Sequence, residues 1–246
     1  MDLAIVFVPA GQVLPAVEEC AACSIPGVMI ESGGFAEAGA DGQTLQRQLK
    51  ELADKTGIRL WGPNCMGLVD AVSGNIFSFM EHNSVKKGFT TGKVSLVVQS
   101  GMLSAGFLVD IMSNGVMGIS KVCSIGNKID VNENDLVAYL RDDPDTGVIG
   151  LYLESIADGR RFVELCRQCT KPVIVMKGGK SPKGAAAAMS HTASLAGNQR
   201  VLAGVLAQAG IFEANDFKQL TDLCRSLAVY PRRPAGNGRV AVITYS

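Results

Sequence analysis

Histidine is nearly absent from this chain: His82 and His191 are the only two in 246 residues. Imidazole chemistry near neutral pH can therefore fall at only two places. Aromatic residues are also scarce, at 6%, whereas glycine reaches 28 residues. That balance argues against a β-sandwich core and for an α/β protein rich in tight turns. Neither sign of charge is in excess, since Lys plus Arg and Asp plus Glu both total 23, which gives no general nucleic-acid or anionic-membrane surface. No apolar run approaches the roughly 20 residues that a membrane helix needs. Met1-Asp2 runs straight into a strand-like segment without the basic region of a signal peptide, so a cytoplasmic protein is expected. Seven cysteines are scattered without metal-like spacing, as free thiols of a reducing compartment would be. Cys20 and Cys23 do form a C-x-x-C, but late in an amphipathic helix pattern, where ordinary packing is the simpler account. Walker-type, HExxH, GxSxG and kinase motifs are all missing.

What is present is an alternation of buried strands and helices. Leu3 to Val8 is a continuous apolar strand, Val13 to Cys23 a helix, Gly27 to Ile30 a strand, Thr44 to Lys55 a helix, and Arg59 to Trp61 a strand edge. Such a pattern predicts a parallel, doubly wound unit, here a partial Rossmann-like domain over residues 1–75. A looser stretch, 76–92, is expected to be a linker. The alternation restarts at Val94 to Val98 and continues through Met102 to Ser113, Ile119 to Ser124, Asn134 to Arg141, Val148 to Leu153, Gly159 to Cys169 and Val173 to Met176. Helices over Asn198 to Gln208 and Phe217 to Ala228 complete a flavodoxin-like parallel-sheet domain over 93–230. Residues 231–246 read as a linker and the first strand of a further domain. With the missing Gly-rich turn near the start, they suggest a piece of a longer polypeptide.

Two segments could carry chemistry. In Gln99-Ser100-Gly101-Met102 a buried strand turns into a helix, with Ser100 placed to cap it. The N–H groups and dipole of such a turn attract anions, although a plain N-cap needs no ligand. The second segment runs from Lys177 through Ser190-His191-Thr192 to Gly197, about twenty residues of small and basic side chains with no expected helix before Asn198. His191 is flanked by small hydroxyl residues that leave its ring open, so it is either a phosphate nucleophile or a surface residue of a long loop. His82, in Glu81-His82-Asn83, has no candidate partner and is read as solvated. Glu154 ends a buried strand at the carboxyl edge, where it could orient an imidazole or pair with Arg160 or Arg161. Asp130, Asp142, Asp143 and Asp145 are read as helix caps and turn formers.

Taken in order, these segments resemble one family, the NDP-forming acyl-CoA synthetases related to the succinyl-CoA synthetase α subunit. The similarity is carried by Val8-Pro9-Ala10, Ile30-Glu31-Ser32-Gly33-Gly34-Phe35, Gly62-Pro63-Asn64-Cys65-Met66-Gly67, Val98-Gln99-Ser100-Gly101, Leu153-Glu154-Ser155 and Ser190-His191-Thr192-Ala193-Ser194-Leu195-Ala196-Gly197. The resemblance implies that Val8, Pro9, Ala10, Ile30, Glu31, Ser32, Asn64 and Cys65 lie against CoA. It implies that His191 carries phosphate, that Glu154 orients it, and that amides at Ser100, Gly101 and Met102 hold the phosphoryl group. The implied reaction interconverts acyl-CoA, NDP and phosphate with acid, CoA and NTP. ATP or ADP with Mg²⁺ would bind an ATP-grasp subunit or fused domain, within an oligomer, and no metal site is expected on this chain. Ala105, where succinyl-specific relatives carry an aromatic, argues against succinate as the acid. The same resemblance leaves open a non-catalytic CoA- or acyl-CoA-sensing module of a fused acyltransferase.

Overall fold

The computed structural model describes residues 1–79, 89–104, 106, 109, 115, 117–179, 199–230 and 243–244. Among these residues the strands form two sheets. The first is a three-stranded parallel sheet of β1 (Ala4–Val6), β2 (Gly27–Ile30) and β3 (Arg59–Trp61), in that order. Helices α1 (Ala10–Ala22) and α2 (Ala40–Thr56) are its crossovers. Val13, Val17 and Leu49 are fully buried from these helices, against Val28, Ile30 and Leu60 of the strands. Each such side chain contributes roughly 1.5–3 kcal/mol of transfer free energy. Gly57, left-handed at φ 76°, ends α2. Cys20 packs against this core and Cys23 is exposed, both as free thiols.

The second sheet holds β4 (Leu68–Asp70), β5 (Asn75–Phe77), β6 (Thr91–Val98), β7 (Ile119–Ser124), β8 (Val148–Leu153), β9 (Val173–Lys177) and β10 (Phe212–Ala214). Its order is β10-β9-β8-β6-β7-β4-β5. The five parallel strands β6 to β10 thus follow the flavodoxin-like order expected from sequence. Helices α3 (Glu133–Asp142), α4 (Gly159–Gln168) and α5 (Gln199–Gln208) pack on one face, and α6 (Phe217–Val229) on the other. Both faces being covered, all six residues of β8 are buried, which explains its unbroken apolar run. Side-chain caps begin three of these helices: Asn132 with Asp135 in a capping box for α3, Asp158 for α4 and Asp216 for α6.

Sequence and structure part at several places. Strand β1 is shorter than the expected Leu3 to Val8, and β6 starts at Thr91, inside the expected linker. Helices α1 and α2 start at Ala10 and Ala40, earlier than expected, because small and polar residues in a first turn carry no apolar signal. Strand β10, three residues between two helices, was expected as a connection; it forms because β9 leaves an edge for it. The residues assigned to the end of the first domain and the start of the linker form the β4–β5 hairpin, which pairs antiparallel to β7 in the second sheet. The two units are therefore knit together. Residues 101–104, 106 and 109 are helical, as expected for the helix after β6. Of the strand expected near the end, only Ile243 and Thr244 lie within the described residues.

The seam between the units is made by residues 60–66 and 124–131. Trp61 Nε1 donates to the Ser124 carbonyl at 2.6 Å, and the Asn127 and Ile129 amides donate to the Pro63 and Gly62 carbonyls at 2.8 and 3.1 Å. Asp130, read from sequence as a turn former, accepts from the Leu60 amide and from Arg59. Gly126 has to be glycine: its φ is +54°, and a Cβ there would sit 2.1 Å from the Pro63 carbonyl oxygen.

Candidate functional site

The carboxyl ends of β6, β8 and β9 lie side by side, the position where open α/β sheets bind ligands. At the end of β6, Ser100 caps the helix that follows, with its Oγ 3.4 Å from the Leu103 amide. The exposed Met102 and half-buried Gly101 open that helix, so its leading N–H groups face outward from the sheet edge. One strand over, Glu154 is half-buried at the end of β8. The Tyr152 hydroxyl donates to Glu154 Oε1 at 3.4 Å. Burial, together with the carboxylate beside it, pushes that hydroxyl up to about 12, so it stays a donor. Arg161 reaches Asp135, not Glu154, which removes one structural alternative for the glutamate. Beyond β9 the Gly178 amide donates to the Leu153 carbonyl at 2.8 Å, so Gly178 lies beside Glu154. His191 lies outside the described residues, as do His82 and Ala105.

The candidate CoA residues gather at the carboxyl edge of the first sheet, and they divide into two groups. Pro9 is exposed, while Val8, Ala10 and Asn64 are half-exposed. These can touch a ligand. Ile30, Glu31, Ser32 and Cys65 are all buried, at 5% exposure or less, and shape the edge from beneath. Ser32 Oγ accepts from the Val8 amide at 3.0 Å, and the Ser32 carbonyl accepts from the Asn64 amide at 2.9 Å, tying the three segments together. Asn64 is held left-handed, at φ 57°. The Cys65 thiol points back to the Ile30 carbonyl, and burial pushes it up to about 12. It is a packing thiol rather than a nucleophile. Phe7 and Phe79, both largely exposed, stack at 5.4 Å beside Val8.

Glu31, expected at the CoA edge, is buried there, at 5% exposure. Its Oε1 has no hydrogen-bond partner, and a Cβ on Gly67 would lie 2.7 Å from it and 2.0 Å from the Phe77 carbonyl oxygen. Burial raises this carboxyl from about 4.5 to about 7, against a donated backbone hydrogen bond from Phe79. The folded chain therefore holds a proton that the unfolded chain releases between those values, and stability falls as pH rises through that window. Glu31→Gln should flatten this dependence and gain up to about 3 kcal/mol at pH 8. Urea unfolding of both proteins from about pH 5 to about pH 8 checks it; parallel curves would refute the raised carboxyl.

The two edges touch. A Cβ on Gly101 would lie 3.6 Å from the Met66 amide nitrogen, so the turn after β6 abuts the Gly62–Gly67 turn of the first unit. Met66 in turn donates its amide to Ser124 Oγ at 2.9 Å. Three residues that matter here were not singled out from sequence. Gln99, Lys128 and Glu133 form a buried frame beneath Glu154. Lys128 Nζ donates to Glu133 Oε2 and to the Ser155 carbonyl, both at 2.7 Å, and the Ala157 amide donates to Glu133 Oε1. The only sequence signal was a lysine following Gly126-Asn127 and a glutamate inside a capping box.

The chain thus joins a Rossmann-like unit edge to edge with a flavodoxin-like unit, with the N-terminal turn of the helix after β6 at the join. Residues 91–227 match the family described as the succinyl-CoA ligase like flavodoxin domain, and residues 1–71 match a CoA binding domain family. The chain belongs to the NDP-forming acyl-CoA synthetases, the family of succinyl-CoA ligase. It is similar to the ADP-forming acetate–CoA ligase I of Archaeoglobus fulgidus, at 40% identity over all of this chain and 35% of that protein. It is similar also to the α subunit of the ADP-forming acetate–CoA ligase II of Pyrococcus furiosus, at 37% identity over 99% of this chain and 52% of the subunit. Among solved structures, the dinucleotide-forming acetyl-coenzyme A synthetase 1 of Ca. Korarchaeum cryptofilum, in complex with phosphate and ADP, matches with a TM-score of 0.85 and 32% identity. That match covers 93% of this chain and 48% of the other. This chain thus spans about half the length of these relatives, or less. No helix among the described residues is long and apolar enough to cross a membrane.

Proposed function

We propose that this chain is the CoA- and phosphate-handling portion of an ADP-forming acid–CoA ligase working through a phosphohistidine at His191. The observation that carries this is the contact of the Ser100-Gly101 turn with Met66, which sets an anion-attracting helix start against the candidate CoA edge, with Glu154 on the neighbouring strand end. The relatives named above are CoA ligases, which supports a ligase over a sensing module.

In the direction that makes ATP, inorganic phosphate attacks the acyl-CoA carbonyl carbon. A C–O bond forms, the C–S bond breaks and CoA leaves with a proton. A neutral ring nitrogen of His191 then attacks the phosphorus of the acyl phosphate, the P–O bond to the acyl group breaks, and the carboxylate leaves. The phosphoryl group finally passes from His191 to ADP. Glu154 accepts the N–H of the other ring nitrogen, fixing the tautomer and stabilising the ring as it becomes charged. Amides at Ser100, Gly101 and Met102 receive the phosphoryl oxygens. Val8, Pro9, Ala10 and Asn64 contact CoA, over a floor built by Ile30, Glu31, Ser32 and Cys65. Nucleotide and Mg²⁺ bind an ATP-grasp domain or subunit, and the assembly is oligomeric.

The test is to incubate the complete protein, with its nucleotide-binding module, with γ-labelled ATP and Mg²⁺. Acid-labile label should appear on the peptide holding His191 and vanish on adding CoA with a short carboxylic acid. A folded, nucleotide-binding assembly that takes no label would refute the proposal.

A further inference from the structure

We infer that Gln99 is a positioning residue for phosphoryl transfer: its carboxamide fixes the main chain of Glu154 relative to the Ser100 turn. This rests on the reading of His191 and Glu154 given above. The parallel ladder between β6 and β8 ends at the pair Val98 and Tyr152, and the Gln99 amide makes the last backbone link, to the Tyr152 carbonyl at 3.0 Å. Beyond that point β6 becomes helix and can offer no further carbonyls to the N–H groups of β8. The Gln99 side chain takes over. Its Oε1 accepts from the Glu154 amide at 2.8 Å and from the Ser155 amide at 3.0 Å, and its Nε2 donates to Ser155 Oγ at 3.1 Å.

Both lone pairs of one oxygen are thus used on two successive amides, and the donor at the other end fixes which way the carboxamide faces. Gln99 is buried, at 6% exposure, so these bonds do not exchange with bulk water. Other groups hold the same loop by its carbonyls, Lys128 at Ser155 and Lys177 at Glu154; Gln99 holds it by its amides. It also directly precedes Ser100 in the chain. The carboxylate that would orient the imidazole and the turn that would hold the phosphoryl oxygens cannot then shift independently. Phosphoryl transfer between positioned groups is sensitive to displacements of about 1 Å, which can cost ~100-fold in rate.

Three variants of the complete protein test this, compared by the rate of His191 labelling per folded molecule. Gln99→Met keeps the volume and loses the acceptor. Gln99→Asn is polar but one methylene short of both amides, and it is the folded control if the methionine variant is unstable. Gln99→Glu keeps an acceptor for both amides while burying a charge. The expected order is wild type, then Gln99→Glu, then Gln99→Met and Gln99→Asn, the last two slower by about 10- to 100-fold. The KM for ATP should not change, because the nucleotide is held elsewhere. Hydrogen exchange at the Glu154 and Ser155 amides should quicken in the same order. A residue that merely filled space would give the opposite ranking, since an apolar isostere is tolerated better than a buried carboxylate. Labelling of Gln99→Met and Gln99→Asn at the wild-type rate, or Gln99→Glu below both, would overturn the assignment of Gln99 alone. Failure of the wild type itself to take label would overturn this inference together with the phosphohistidine.

Discussion

Glu154→Gln is expected to slow phosphorylation of His191 by about 10²- to 10⁴-fold while leaving the fold and the KM for ATP unchanged. The substitution is chosen because the glutamate is held by its main chain, through the Gln99 contacts and the Lys177 bond to its carbonyl. Neither depends on the carboxylate. The amide oxygen of the new glutamine can still accept from the Tyr152 hydroxyl, so the side chain keeps its rotamer at the strand end. What is lost is the negative charge opposite a ring that becomes cationic when it takes or gives a phosphoryl group. A glutamine can also present N–H where an acceptor is required, favouring the wrong tautomer. The measurement is a single-turnover rate of label transfer from ATP to His191, with melting temperature as the control on folding. A rate within threefold of wild type would remove Glu154 from the reaction and leave it a strand-end residue.

Much of this architecture was legible because its strands are buried on both sides. Val148 to Leu153 coincides with β8 residue for residue, since a strand covered by helices on two faces reads as an unbroken apolar run. Ile119 to Ser124 coincides with β7 as well, although its apolar residues are interrupted by Ser120 and by Lys121, which is buried against Asp143. The short peripheral strands were not legible. Asn75–Phe77 is three residues with two of them exposed, held at the sheet edge by pairing with β4, and local sequence does not record pairing. In the candidate site, the groups that stand at strand ends, Ser100 and Glu154, were named from sequence and lie on adjacent strands. Those that brace them from below were missed. Gln99 is an ordinary polar residue at the end of an apolar run, and its value comes from two amides 55 and 56 residues away. Glu31 shows the converse: it stands at the edge by sequence, yet its side chain folds beneath the Gly67 turn, because the second sheet's hairpin covers it.

Glu133→Gln is expected to destabilise the protein by about 3–5 kcal/mol, the cost of leaving a buried partner charge uncompensated. The Lys128 and Glu133 side chains are 6% and 0% exposed, so the pair is shielded from bulk solvent. Glutamine keeps an acceptor for the Ala157 amide, so the loss falls on the charge and on the hydrogen bond that Lys128 donates to Oε2. Burial already lowers the Lys128 pKa against the opposing pull of Glu133. Without that carboxylate it falls further, and the folded chain sheds a proton that the unfolded chain keeps. Stability of Glu133→Gln should therefore rise toward alkaline pH, with more protons bound in the unfolded than in the folded state. Adding Lys128→Met removes the stranded charge at the smaller cost of one donor to the Ser155 carbonyl, so the double variant should be more stable than Glu133→Gln at neutral pH. The consequence reaches the site from both sides. Lys128 adjoins Asn127, whose amide grips the Pro63 carbonyl of the candidate CoA turn, while its own Nζ grips the loop that carries Glu154. Weakening the pair should thus slow His191 labelling in the fraction that remains folded. Urea unfolding at neutral and alkaline pH decides the energetic part: a double variant no more stable than Glu133→Gln, or a loss below about 1 kcal/mol, would mean that water reaches this pair and that the two edges are held together by the backbone seam alone.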